Sequence, residues 1–546
     1  MTATPGYLQG LSDNIVVDPQ KCTFCGICVE RCILDNLRLK LALCRQACPL
    51  HTNCQGYVRL IARGDDRKAT KVISDVVPFI GILGRICSHQ CETSCTRLQV
   101  DGEAVAIRDL KRYLADNVEL PPVEMAPERS ERVAIIGAGP AGAYAAYLLR
   151  QHGFRVEIFD ASPGLGGMLA TAVPEFRLPA AVLDKEMGIL EGMGIVLHLG
   201  VRVGTQVTLP ELAAEFAAVL IATGAQKSKA LGIAGEDLKG VWAGLDFLRS
   251  ARSAVGKPAV GRAVAVIGGG NTAVDAAQTA LRLGAQEVKL ICLESRAEMP
   301  AFQWEVADAC EEGVEIVPSC GPIRFLGRDG QVSGIQTRRC LSVFDAQGRF
   351  APCFDDGQQQ EVSADTVIVA IGQTADMSFL DGAEVAFAGS QILCDPLTLQ
   401  CRKSGDDAVL HASIFAAGDI VTGPKTVVEA LASGREAAES IRRYLCQENL
   451  RYGRAYPGPY DTQFDVDLSK AVPSKRVAPN QLPVDRRRSF LELVECMSEG
   501  EARAEAERCL SCGEPYGKFR TCWYCLPCEV ECPEEALRVE IPYLLR

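Results

Sequence analysis

The chain has 546 residues, a formal net charge of −12 at pH 7, 50 glycines and 25 cysteines. The length predicts three or four domains, and the acidic balance gives no electrostatic support for nucleic-acid binding. No charged-then-apolar leader opens the chain, and its longest apolar stretch, at 133–149, carries glycine and proline, so we expect a cytoplasmic protein without a membrane span. Most cysteines stand in two short regions at C-x2-C spacing, which indicates metal sites rather than disulfides.

The first cysteine run, KCTFCGICVERCI, has the spacing C-x2-C-x2-C-x3-C. This is the spacing of ferredoxins, in which three thiolates bind three irons of a 4Fe–4S cluster and the fourth often binds a neighbouring cluster. The proline that usually follows is replaced by Ile33. Zinc is the alternative, although zinc sites more often use two separated C-x2-C pairs. The predicted ligands are Cys22, Cys25, Cys28 and Cys32.

A second group of cysteines follows in the short helical segments CRQACP and ICSHQCETSC. Their x3 spacing places successive thiols on one helical face or turn. We predict that they also bind metal: Cys44, Cys48, Cys87, Cys91 and Cys95.

Residues 132–160 read as strand, glycine turn, Ala-rich helix and second strand, RVAIIGAGPAGAYAAYLLRQHGFRVEIFD. Gly137, Gly139 and Gly142 form G-x-G-x-x-G, in which the first glycine allows the turn, the second admits a pyrophosphate and the third lets helix and strand pack. Asp160 ends the second strand, where it would accept hydrogen bonds from an adenosine ribose. The alternative is a glycine-rich packing turn. The predicted site includes the whole turn: Gly137, Ala138, Gly139, Pro140, Ala141 and Gly142.

Two other glycine segments fit a flat cofactor. GLGGM at 164–168 follows Asp160, where bare backbone can lie against a ring system, although a plain flexible loop is the alternative. AAGD at 416–419 places Asp419 near a helix start, where it can bond a flavin ribityl chain or simply cap the helix. The predicted residues are Gly166, Gly167, Met168, Gly418 and Asp419.

A second strand–turn–helix–strand unit, AVAVIGGGNTAVDAAQTALRLGAQEVKLICLE, begins at residue 263 and ends in Glu294. Its turn reads G-x-G-x-x-A, and two such units imply two dinucleotides. Strand-like segments at 219–224, 366–372 and 413–419 predict that the first domain resumes after the second is inserted. The predicted turn residues are Gly268, Gly269, Gly270, Asn271, Thr272 and Ala273.

The C-terminal run TCWYCLPCEVECPEEA repeats the ferredoxin spacing and has Pro533, and RCLSCG before it could begin a further cluster. The predicted ligands are Cys509, Cys512, Cys522, Cys525, Cys528 and Cys532. All fifteen predicted cysteine ligands together cover three full four-cysteine clusters. A fourth cluster needs one ligand from Cys54 or from a non-cysteine residue, so we expect three to four 4Fe–4S clusters.

A chain of motifs then carries a family resemblance. From CRQACPLHTNCQGYVRLIARGD and AIRDLKRYLAD through IIGAGPAGAYAA, GLGGML, VPEFRLP, ATGA, GGGNTAVDAA, SRAEMPA, AIGQTAD and AAGDIVTGPKTVVEALASGREAA, residues 37–447 resemble the glutamate synthase small-subunit family. The N-terminal half of dihydropyrimidine dehydrogenase is similar. The resemblance implies FAD in the first domain, a nicotinamide in the inserted domain and iron–sulfur clusters in the helical domain.

The resemblance also extends the predicted cofactor sites, to Leu169, Arg177, Val203, Ala222, Thr223, Gly224, Ala370, Ile371, Gly372, Thr426 and Val427. Two departures concern the clusters. Dihydropyrimidine dehydrogenase has a C-x2-C pair just before the cysteine matching Cys44, which is missing here, and Lys111 falls where that enzyme uses a glutamine ligand. The ligands of the flavin-proximal clusters therefore stay open, and Cys22 to Cys32 are candidates for the missing ones.

The segment ICLESRAEMP at 291–300 bears on the choice of nicotinamide. Family members that use NADPH tend to read Y-R-R-S-R-x-E-M-P here, and Leu293 and Glu294 take the places of the paired arginines. A carboxylate accepts bonds from ribose hydroxyls and repels a 2′-phosphate, so we predict NAD(H), with Glu294, Ser295 and Arg296 in the site. Arg296 could still meet a 2′-phosphate, and a solvated strand end is the alternative for Glu294.

These patterns predict an α/β protein with two nested Rossmann-like nucleotide-binding domains, an α-helical iron–sulfur domain before them and ferredoxin-like segments at both ends. The predicted division is ferredoxin-like at 1–36, helical iron–sulfur at 37–125, FAD-binding at 126–255 and 365–450, NAD(H)-binding at 256–364, linker at 451–500, and ferredoxin-like at 501–546.

We therefore expect an FAD-containing iron–sulfur subunit that exchanges hydride with NAD(H) and passes single electrons through its clusters. The terminal additions resemble longer flavoproteins that serve ferredoxin-dependent enzymes, which implies ferredoxin or a partner subunit of the 2-oxoacid:ferredoxin, tungsten aldehyde oxidoreductase or aromatic-ring reductase type, in a hetero-oligomeric complex. Glu429, on the helix after Asp419, is the candidate catalytic residue. The alternatives are an NADPH-using subunit of a glutamate synthase- or dihydropyrimidine dehydrogenase-type enzyme, and a non-catalytic electron-wire subunit, against which the intact glycines of both units argue.

Overall fold

The computed structural model describes residues 15–540 apart from 19, 34–35, 254–255, 457, 470, 518–521 and 523. The outermost parts of both predicted terminal segments, 1–14 and 541–546, lie outside the described residues. Within this range the chain forms a helical region, two parallel sheets and a small unit made from both chain ends.

The described part of the first 120 residues is mostly short helices. The strands are β1 (Ile15–Val17) and β2 (Leu37–Lys40). The helices are α1 (Ile27–Glu30), α2 (Leu43–Gln46), α3 (Cys54–Ala62), α4 (Asp66–Ser74), α5 (Ile80–Ile86), α6 (Gln90–Thr93), α7 (Leu98–Asp101) and α8 (Ile107–Asn117). Helix α3 begins at Asn53, whose side chain accepts a hydrogen bond from the Gly56 N–H at 3.1 Å, which satisfies one of the free donors of the first turn.

Residues 132–252 alternate strands and helices. The strands are β3 (Arg132–Ile136), β4 (Arg155–Asp160), β5 (Val196–Leu199), β6 (Ala218–Ile221), β7 (Lys227–Ser228) and β8 (Val241–Ala243). The helices are α9 (Pro140–Gln151), α10 (Met168–Thr171), α11 (Ala180–Gly192), α12 (Leu209–Glu215) and α13 (Gly244–Arg252). All four residues of β6 are buried, as expected for a parallel strand covered on both faces.

The next region repeats this pattern and then turns antiparallel. The strands are β9 (Ala263–Ile267), β10 (Glu287–Ile291), β11 (Val314–Val317), β12 (Cys320–Arg328), β13 (Gln331–Phe344), β14 (Phe350–Ser363), β15 (Thr366–Val369) and β16 (Gln373–Thr374). The helices are α14 (Asn271–Arg282) and α15 (Gln303–Glu311). Strands β12, β13 and β14 form an antiparallel sheet.

The remaining elements return to the first sheet and then to the helical region. The strands are β17 (Phe387–Ala388), β18 (Gln391–Ile392), β19 (Gln400–Lys403), β20 (Asp406–Ala416), β21 (Tyr460–Asp461), β22 (Pro515–Gly517) and β23 (Leu537–Val539). The helices are α16 (Asp419–Thr422), α17 (Val427–Leu445), α18 (Glu499–Glu507) and α19 (Pro527–Val530), with 3-10 turns at Ser378–Leu380 and Val484–Arg486.

The first large sheet has the order β19-β20-β6-β3-β4-β5, parallel except between β19 and β20. Helix α9 covers it and packs against α17. The two helices approach closely because α17 has Gly434 at the crossing, where a Cβ would lie 2.2 Å from the Ala141 carbonyl oxygen. The glycine turn between β3 and α9 therefore stands at the carboxyl edge of the sheet centre, where such folds bind ligands.

The second large sheet has the order β11-β10-β9-β15-β8 and is entirely parallel. The expectation that segment 366–372 returns to the first domain is wrong, because β15 pairs with β9 and β8. The boundaries at 256 and 364–365 are wrong for the same reason, since β8 also belongs to the second sheet and α13 packs against it. The two domains are joined by the antiparallel pair of β7 with β16.

The first and last described segments of the chain meet beside the helical region. Strand β1 pairs antiparallel with β23, and β2 pairs with β21 and β22. The two predicted ferredoxin-like segments thus form one unit instead of two separate ones. The predicted linker also packs on the rest of the chain, since β21 joins β2 and the Leu493 N–H donates to the Phe176 carbonyl at 3.1 Å. Within the described residues, no helix combines the length and apolarity that a membrane crossing requires.

Candidate cofactor cleft and cysteine groups

The first glycine turn has the sterics that its three glycines predict. Gly137 has φ 107°, and a Cβ there would lie 2.4 Å from the Ala222 carbonyl oxygen. A Cβ on Gly142 would lie 2.0 Å from the Gly137 carbonyl oxygen, so the helix can pack this closely only with glycine. Gly139 instead faces open space, since the nearest atom to a Cβ there is the Gly167 Cα at 3.9 Å. The turn is therefore shaped to admit a ligand at its second glycine.

Asp160 is tied to this turn by its own hydrogen bonds. Its Oδ2 accepts from the Ala138 N–H at 2.6 Å, and its Oδ1 accepts from the Ser162 N–H at 2.7 Å. The carboxylate thus lies at the end of β4 next to the turn, as predicted, and is held there rigidly.

A single cleft of about 1080 Å³ runs from the first glycine turn to the second sheet and to the helical region. Twenty of the predicted residues border it: Gly137, Gly139, Pro140, Ala141, Asp160, Gly167, Met168, Leu169, Arg177, Val203, Ala222, Thr223, Gly224, Asn271, Thr272, Gly418, Asp419, Thr426, Val427 and Glu429. Residues 80–300 apart in sequence therefore converge on one space large enough for cofactors.

Several residues of the cleft were not predicted. Ser88 comes from the helical region, Phe302 and Gln373 from the second domain, and Phe159 and Lys425 from the first. Lys425 stands inside the GPKTVVEA stretch of the family motifs, which was a usable signal. Ser88 and Phe302 carry no sequence signal, because only the packing of domains brings them to the cleft.

The cleft has polar atoms that suit a bound ligand. The hydroxyl oxygens of Thr223 and Ser88 are buried and have no hydrogen-bond partner among the described residues. Buried polar groups normally have a hydrogen-bond partner, so a ligand in the cleft would supply the missing partners of these two hydroxyls. Together with the open second glycine, they fit the phosphate and polyol parts of a dinucleotide.

Asp419 opens the short helix α16 at the rim of the cleft. Its Oδ1 accepts from the Lys425 N–H at 3.2 Å, and burial raises its pKa to about 6. The alternative of a helix cap is wrong for Asp419, because Gly418 is the N-cap of α16 and Thr426 is the N-cap of α17. Asp419 therefore borders the cleft while its carboxyl group holds the loop before α17.

Glu429 closes a capping box at the start of α17. Its Oε2 accepts from the Thr426 N–H at 3.0 Å and from the Thr426 hydroxyl at 2.5 Å. One carboxylate oxygen of Glu429 is thus used to cap the N-terminus of α17. A role near the flavin, as the sequence suggested, therefore stays a prediction.

Arg177 joins the two nucleotide-binding domains. Its Nη1 donates to both carboxylate oxygens of Asp275, at 2.7 and 2.9 Å, and its Nη2 pairs with Glu305. These carboxylates raise the Arg177 pKa further above its ordinary value. Arg177 borders the cleft, but its guanidinium is already bound by side chains of the second domain, so its role in FAD binding stays a prediction.

The second glycine turn copies the first. Gly268 has φ 136°, and a Cβ there would lie 2.3 Å from the Ala370 carbonyl oxygen. The Ala370 N–H donates to the Ile267 carbonyl at 2.8 Å, as the Ala222 N–H does to that of Ile136. Segment 370–372 therefore packs against the second glycine turn in the same way as segment 222–224 packs against the first. Gly270 has no atom within 4 Å of a Cβ position, so it faces open space.

The side chain of Glu294 lies over the second turn. Its Oε2 is 2.7 Å from the position that a Cβ on Gly269 would take. Ser295 donates through its hydroxyl to Glu298 Oε2 at 2.6 Å, whereas Arg296 is exposed and its Nη2 lies 3.5 Å from Cys310 Sγ. Glu294 is therefore the member of this segment that lies on the glycine turn.

The ferredoxin-like unit interleaves its two cysteine runs. Cys22, Cys25, Cys28 and Cys532 border one small cavity. Cys528 of the second run has its pKa raised to about 11. Burial is the main cause, and the nearby thiolate charges of Cys32 from the first run and of Cys522 and Cys525 add to it. The local backbone repeats as well, since Phe24 N–H donates to Cys22 Sγ and Tyr524 N–H to Cys522 Sγ, both at 3.4 Å.

The cysteines of the helical region form a second assembly, which also receives the C-terminal pair. Cys44, Cys54, Cys95, Cys509 and Cys512 border one cavity between α2, α3 and the segment after α18. Cys48, Cys87 and Cys91 are buried in the adjoining core. Among the described residues, Cys509 and Cys512 border this cavity and none of Cys22, Cys25, Cys28 and Cys32 does.

The thiols are spread in a way that suits clusters. Among the described residues, no three His, Cys, Asp or Glu side chains converge on a point that could hold one metal ion. A 4Fe–4S cluster does not require thiols that converge on one point, because each thiolate binds its own iron at a separate corner of the cluster. Sets of four thiols around a small cavity fit that donor chemistry.

Nested parallel sheets with paired glycine turns, together with grouped cysteines, define a pyridine-nucleotide flavoprotein with iron–sulfur clusters. The profile of the pyridine nucleotide-disulphide oxidoreductase family matches residues 131–434, and that of dihydropyrimidine dehydrogenase domain II, 4Fe-4S cluster, matches residues 11–120. The chain belongs to the pyridine nucleotide-disulphide oxidoreductase family. It is an oxidoreductase with FAD, a pyridine nucleotide and 4Fe–4S centres.

Curated relatives extend this result over most of the chain. The NADP(+)-dependent formate dehydrogenase subunit beta of Moorella thermoacetica is 39% identical over 510 residues, which cover 86% of this chain and 70% of the relative. The NADPH-Fe(3+) oxidoreductase subunit beta of Geobacter sulfurreducens is 35% identical over 514 residues, covering 86% and 75%. The NADPH glutamate synthase small chain of Azospirillum brasilense is 35% identical over 422 residues, covering 73% and 86%.

A solved structure agrees on the fold. FprA of Mycobacterium tuberculosis in complex with NADPH matches 58% of this chain and 85% of its own length, with a TM-score of 0.50 and 20% sequence identity. The predicted α/β fold class is therefore confirmed, and the family profiles and curated relatives confirm the predicted family and enzyme class.

Proposed function

We propose that this chain is the FAD-containing iron–sulfur subunit of an electron-transfer enzyme that links NAD(H) to a ferredoxin or to a ferredoxin-dependent partner subunit. One observation carries the proposal. A single cleft is bordered by the first glycine turn, by Asn271 and Thr272 of the second turn, and by Ser88 beside the predicted ligand Cys87. Such a cleft would let both nucleotides meet next to the first iron–sulfur group.

The protein's own task in this proposal is to bind and to orient. Hydride exchange with a nicotinamide and single-electron exchange with clusters are supplied by the flavin when it is bound. The N-terminus of α9 offers unpaired backbone N–H groups to a pyrophosphate, and Asp160 offers its carboxylate to a ribose. Thr223 and Ser88 would donate to the cofactor through hydroxyls that otherwise lack partners. Side-chain acid–base chemistry is not required.

We also propose a preference for NAD(H) over NADP(H). The support is Glu294, whose carboxylate lies over Gly269 where a ribose would approach the turn. A 2′-phosphate there would meet a negative charge instead of a bidentate arginine. Arg296, the nearby cation, is turned to Cys310 and Met299. The names of the three relatives above favour the opposite preference, and kcat/KM for NADH and NADPH decides between them. We expect NADH to be favoured by at least about tenfold, or ~1.4 kcal/mol, and a preference for NADPH would overturn this part.

The ferredoxin-like unit is proposed to hold two clusters with exchanged ligands. Cys22, Cys25 and Cys28 would share one cluster with Cys532, since these four border one cavity. The other set would be Cys522, Cys525, Cys528 and Cys32, because Cys532 and not Cys32 borders the first cavity and the helices α1 and α19 of the two runs pack together. Exchange of the fourth cysteine is common in two-cluster ferredoxins.

The same unit is the proposed exit to a partner. Cys525 is exposed, and the neighbouring apolar side chains Ile33 and Val530 are 72% and 77% exposed. A partner protein that covers them would bring its own redox centre near a cluster. Membership of a hetero-oligomeric complex and a cytoplasmic location belong to the same proposal.

Anaerobic purification followed by titration with NADH tests the lead function. We expect NADH to bleach the flavin, then to reduce the clusters, and finally to reduce added ferredoxin. Absence of any bleaching by NADH or NADPH would favour the electron-wire alternative. Co-purification with a glutamate synthase or pyrimidine reductase subunit, together with reduction by NADPH, would favour the subunit alternative.

A further inference from the structure

Two cysteines outside the predicted cluster ligands lie side by side in the first nucleotide-binding domain. Cys401 stands on β19, Cys394 comes shortly after β18, and the two positions form an antiparallel bridge. Both side chains contact the same apolar cluster of this domain, so they lie on one face of the sheet. The question is whether the two thiols are core side chains or a reactive pair.

The backbone hydrogen bonds define the kind of pair that the two cysteines form. The Asp395 N–H donates to the Gln400 carbonyl at 2.9 Å, and the Arg402 N–H donates to the Leu393 carbonyl at 2.8 Å. These bonds lie on either side of the cysteines, which are therefore a non-hydrogen-bonded pair. In such a pair the two Cα atoms are about 4.5 Å apart, and disulfides span Cα separations of about 4.4–6.8 Å. The strands can thus accept a disulfide at this position without moving apart or together.

The two thiols differ in their exposure to solvent. Cys401 is fully buried, and burial together with the neighbouring Cys394 thiol raises the pKa of Cys401 well above its ordinary value. Cys394 is only half-buried. A small oxidant can therefore reach Cys394, while Cys401 is held beside it as a protonated thiol.

The strand before Cys394 supports one wall of the cofactor cleft. Strand β18 packs against α16, which begins at Asp419 on the border of the cleft. At the other end of α16, the Gln391 Nε2 lies 3.1 Å from the position that a Cβ on Gly423 would take. A covalent bond between Cys394 and Cys401 would therefore stiffen the strand on which this wall rests.

We propose that Cys394 and Cys401 are a dithiol–disulfide site that low-molecular-weight disulfides such as glutathione disulfide oxidise reversibly, and that the disulfide stabilises the FAD-binding domain. The Cys394 thiolate attacks the small disulfide, which forms a mixed disulfide and releases one small thiol. The Cys401 sulfur then loses its proton, attacks Cys394 Sγ and releases the second small thiol. Each cysteine loses one hydrogen, and one small disulfide becomes two small thiols, so atoms and electrons balance.

The stabilising effect follows from the cross-link itself, because a disulfide removes conformations from the unfolded chain. Disulfides of reducing compartments are usually transient, which fits a redox-responsive pair better than a permanent bond. The inference goes beyond the proposed function and does not depend on it, since neither the clusters nor the nicotinamide takes part in this reaction.

Incubation of the anaerobically purified full-length protein with glutathione disulfide tests the site. Free thiols are then blocked with N-ethylmaleimide in denaturant, and the chain is cleaved before Asp395, which separates the two cysteines. Mass spectrometry should find the two peptides joined through Cys394 and Cys401, and dithiothreitol should separate them. Glutathione adducts without the joined peptides, or two blocked thiols, would overturn the inference.

Variants distinguish the roles of the two thiols. Cys401→Ser should keep a glutathione adduct on Cys394, whereas Cys394→Ser should leave Cys401 unmodified because Cys401 is buried. Cys446→Ser is the matched control, because Cys446 is a half-buried cysteine at the end of α17; it should form the disulfide as the wild type does. An adduct on Cys401 in the Cys394→Ser variant would contradict the proposed order of attack.

The release of FAD on heating measures the effect on stability. The oxidised wild type should release FAD at a temperature several degrees higher than the reduced wild type. The same treatment should leave the release temperature of Cys394→Ser unchanged. The wild-type comparison remains decisive if the serine variants do not fold. Equal release temperatures despite a complete cross-link would overturn the stabilising effect.

Discussion

The two nucleotide-binding domains have the same plan and differ at the acid that ends the second strand. In both sheets a glycine turn follows the central strand, and an alanine carbonyl lies against the first glycine, from Ala222 in one and Ala370 in the other. Asp160, however, accepts two backbone N–H bonds, whereas no hydrogen bond to the carboxylate of Glu294 is found within the described residues. The two glycine turns are thus built alike, and the two sites differ in whether the carboxylate beside the turn already accepts hydrogen bonds from the backbone.

The largest expected effect compares the glycines of the two turns. Gly142→Ala should destabilise the first domain by about 3 kcal/mol or more, because its Cβ would lie 2.0 Å from the Gly137 carbonyl oxygen. Gly270→Ala, with nothing within 4 Å, should change the free energy of unfolding far less. Urea unfolding of both variants measures the difference, and equal losses would contradict the steric account.

The next effect depends on pH and concerns the half-buried carboxyl group of Asp419 in the first domain. The pKa of Asp419 is raised to about 6 in the folded chain against about 4 when unfolded. The folded state therefore holds this proton more tightly, and the stability it contributes is complete below pH 4 and lost as the pH rises through 6. Asp419→Asn should remove that loss and be more stable than wild type by roughly 2–3 kcal/mol above pH 7.

Urea unfolding at pH 5 and pH 7.5 checks the sign for Asp419. The advantage of the asparagine variant should grow between the two values. An advantage that shrinks on going to pH 7.5 would show that the carboxylate form is the favoured one in the fold.

Removal of the charge at Glu294 should weaken the discrimination between the nicotinamides. Glu294→Gln is expected to lower the NADH-to-NADPH ratio of kcat/KM about 30-fold, or ~2 kcal/mol, because the repulsion of a 2′-phosphate is lost. Glu298→Gln is the matched control, since Glu298 is an exposed acid of the same segment that bonds only to Ser295. An equal change in both variants would remove Glu294 from the specificity site.

A smaller effect is expected at the acid of the first domain. Asp160→Asn should weaken FAD binding about tenfold, or ~1.4 kcal/mol, because one acceptor becomes a donor while the backbone bonds still hold the side chain in place. FAD fluorescence after dilution gives the dissociation constant. Unchanged affinity would mean that this carboxylate only stabilises the turn.

The smallest effect separates a cap from a cofactor contact. Glu429→Gln keeps a residue that can form the capping box, so the helix should stay intact, while the rate of flavin reduction by NADH should fall about threefold, or ~0.6 kcal/mol. Glu501→Gln is the control, since Glu501 forms the same box with Ser498 far from the cleft. Equal rates in the two variants would leave Glu429 as a cap only.

Local patterns in the sequence were sufficient for the parts whose chemistry is local. The glycine turns, the acids Asp160 and Glu294, and both ferredoxin-like cysteine runs are all read from spacing, because each function depends on residues within about 30 positions. The same reasoning misplaced segment 366–372, since a buried apolar strand carries no mark of the sheet it joins.

The sequence by itself determined the family, the fold class and the types of cofactor, because glycines at turns and cysteines at fixed intervals are requirements of local geometry. Only the tertiary structure decided which elements share a sheet and which cysteines share a cavity. It joined the described N- and C-terminal segments in one unit and brought Cys509 and Cys512 to the cavity of Cys44 and Cys95. The physical reason is that these groupings follow from the burial of apolar faces between distant segments, which no short spacing encodes.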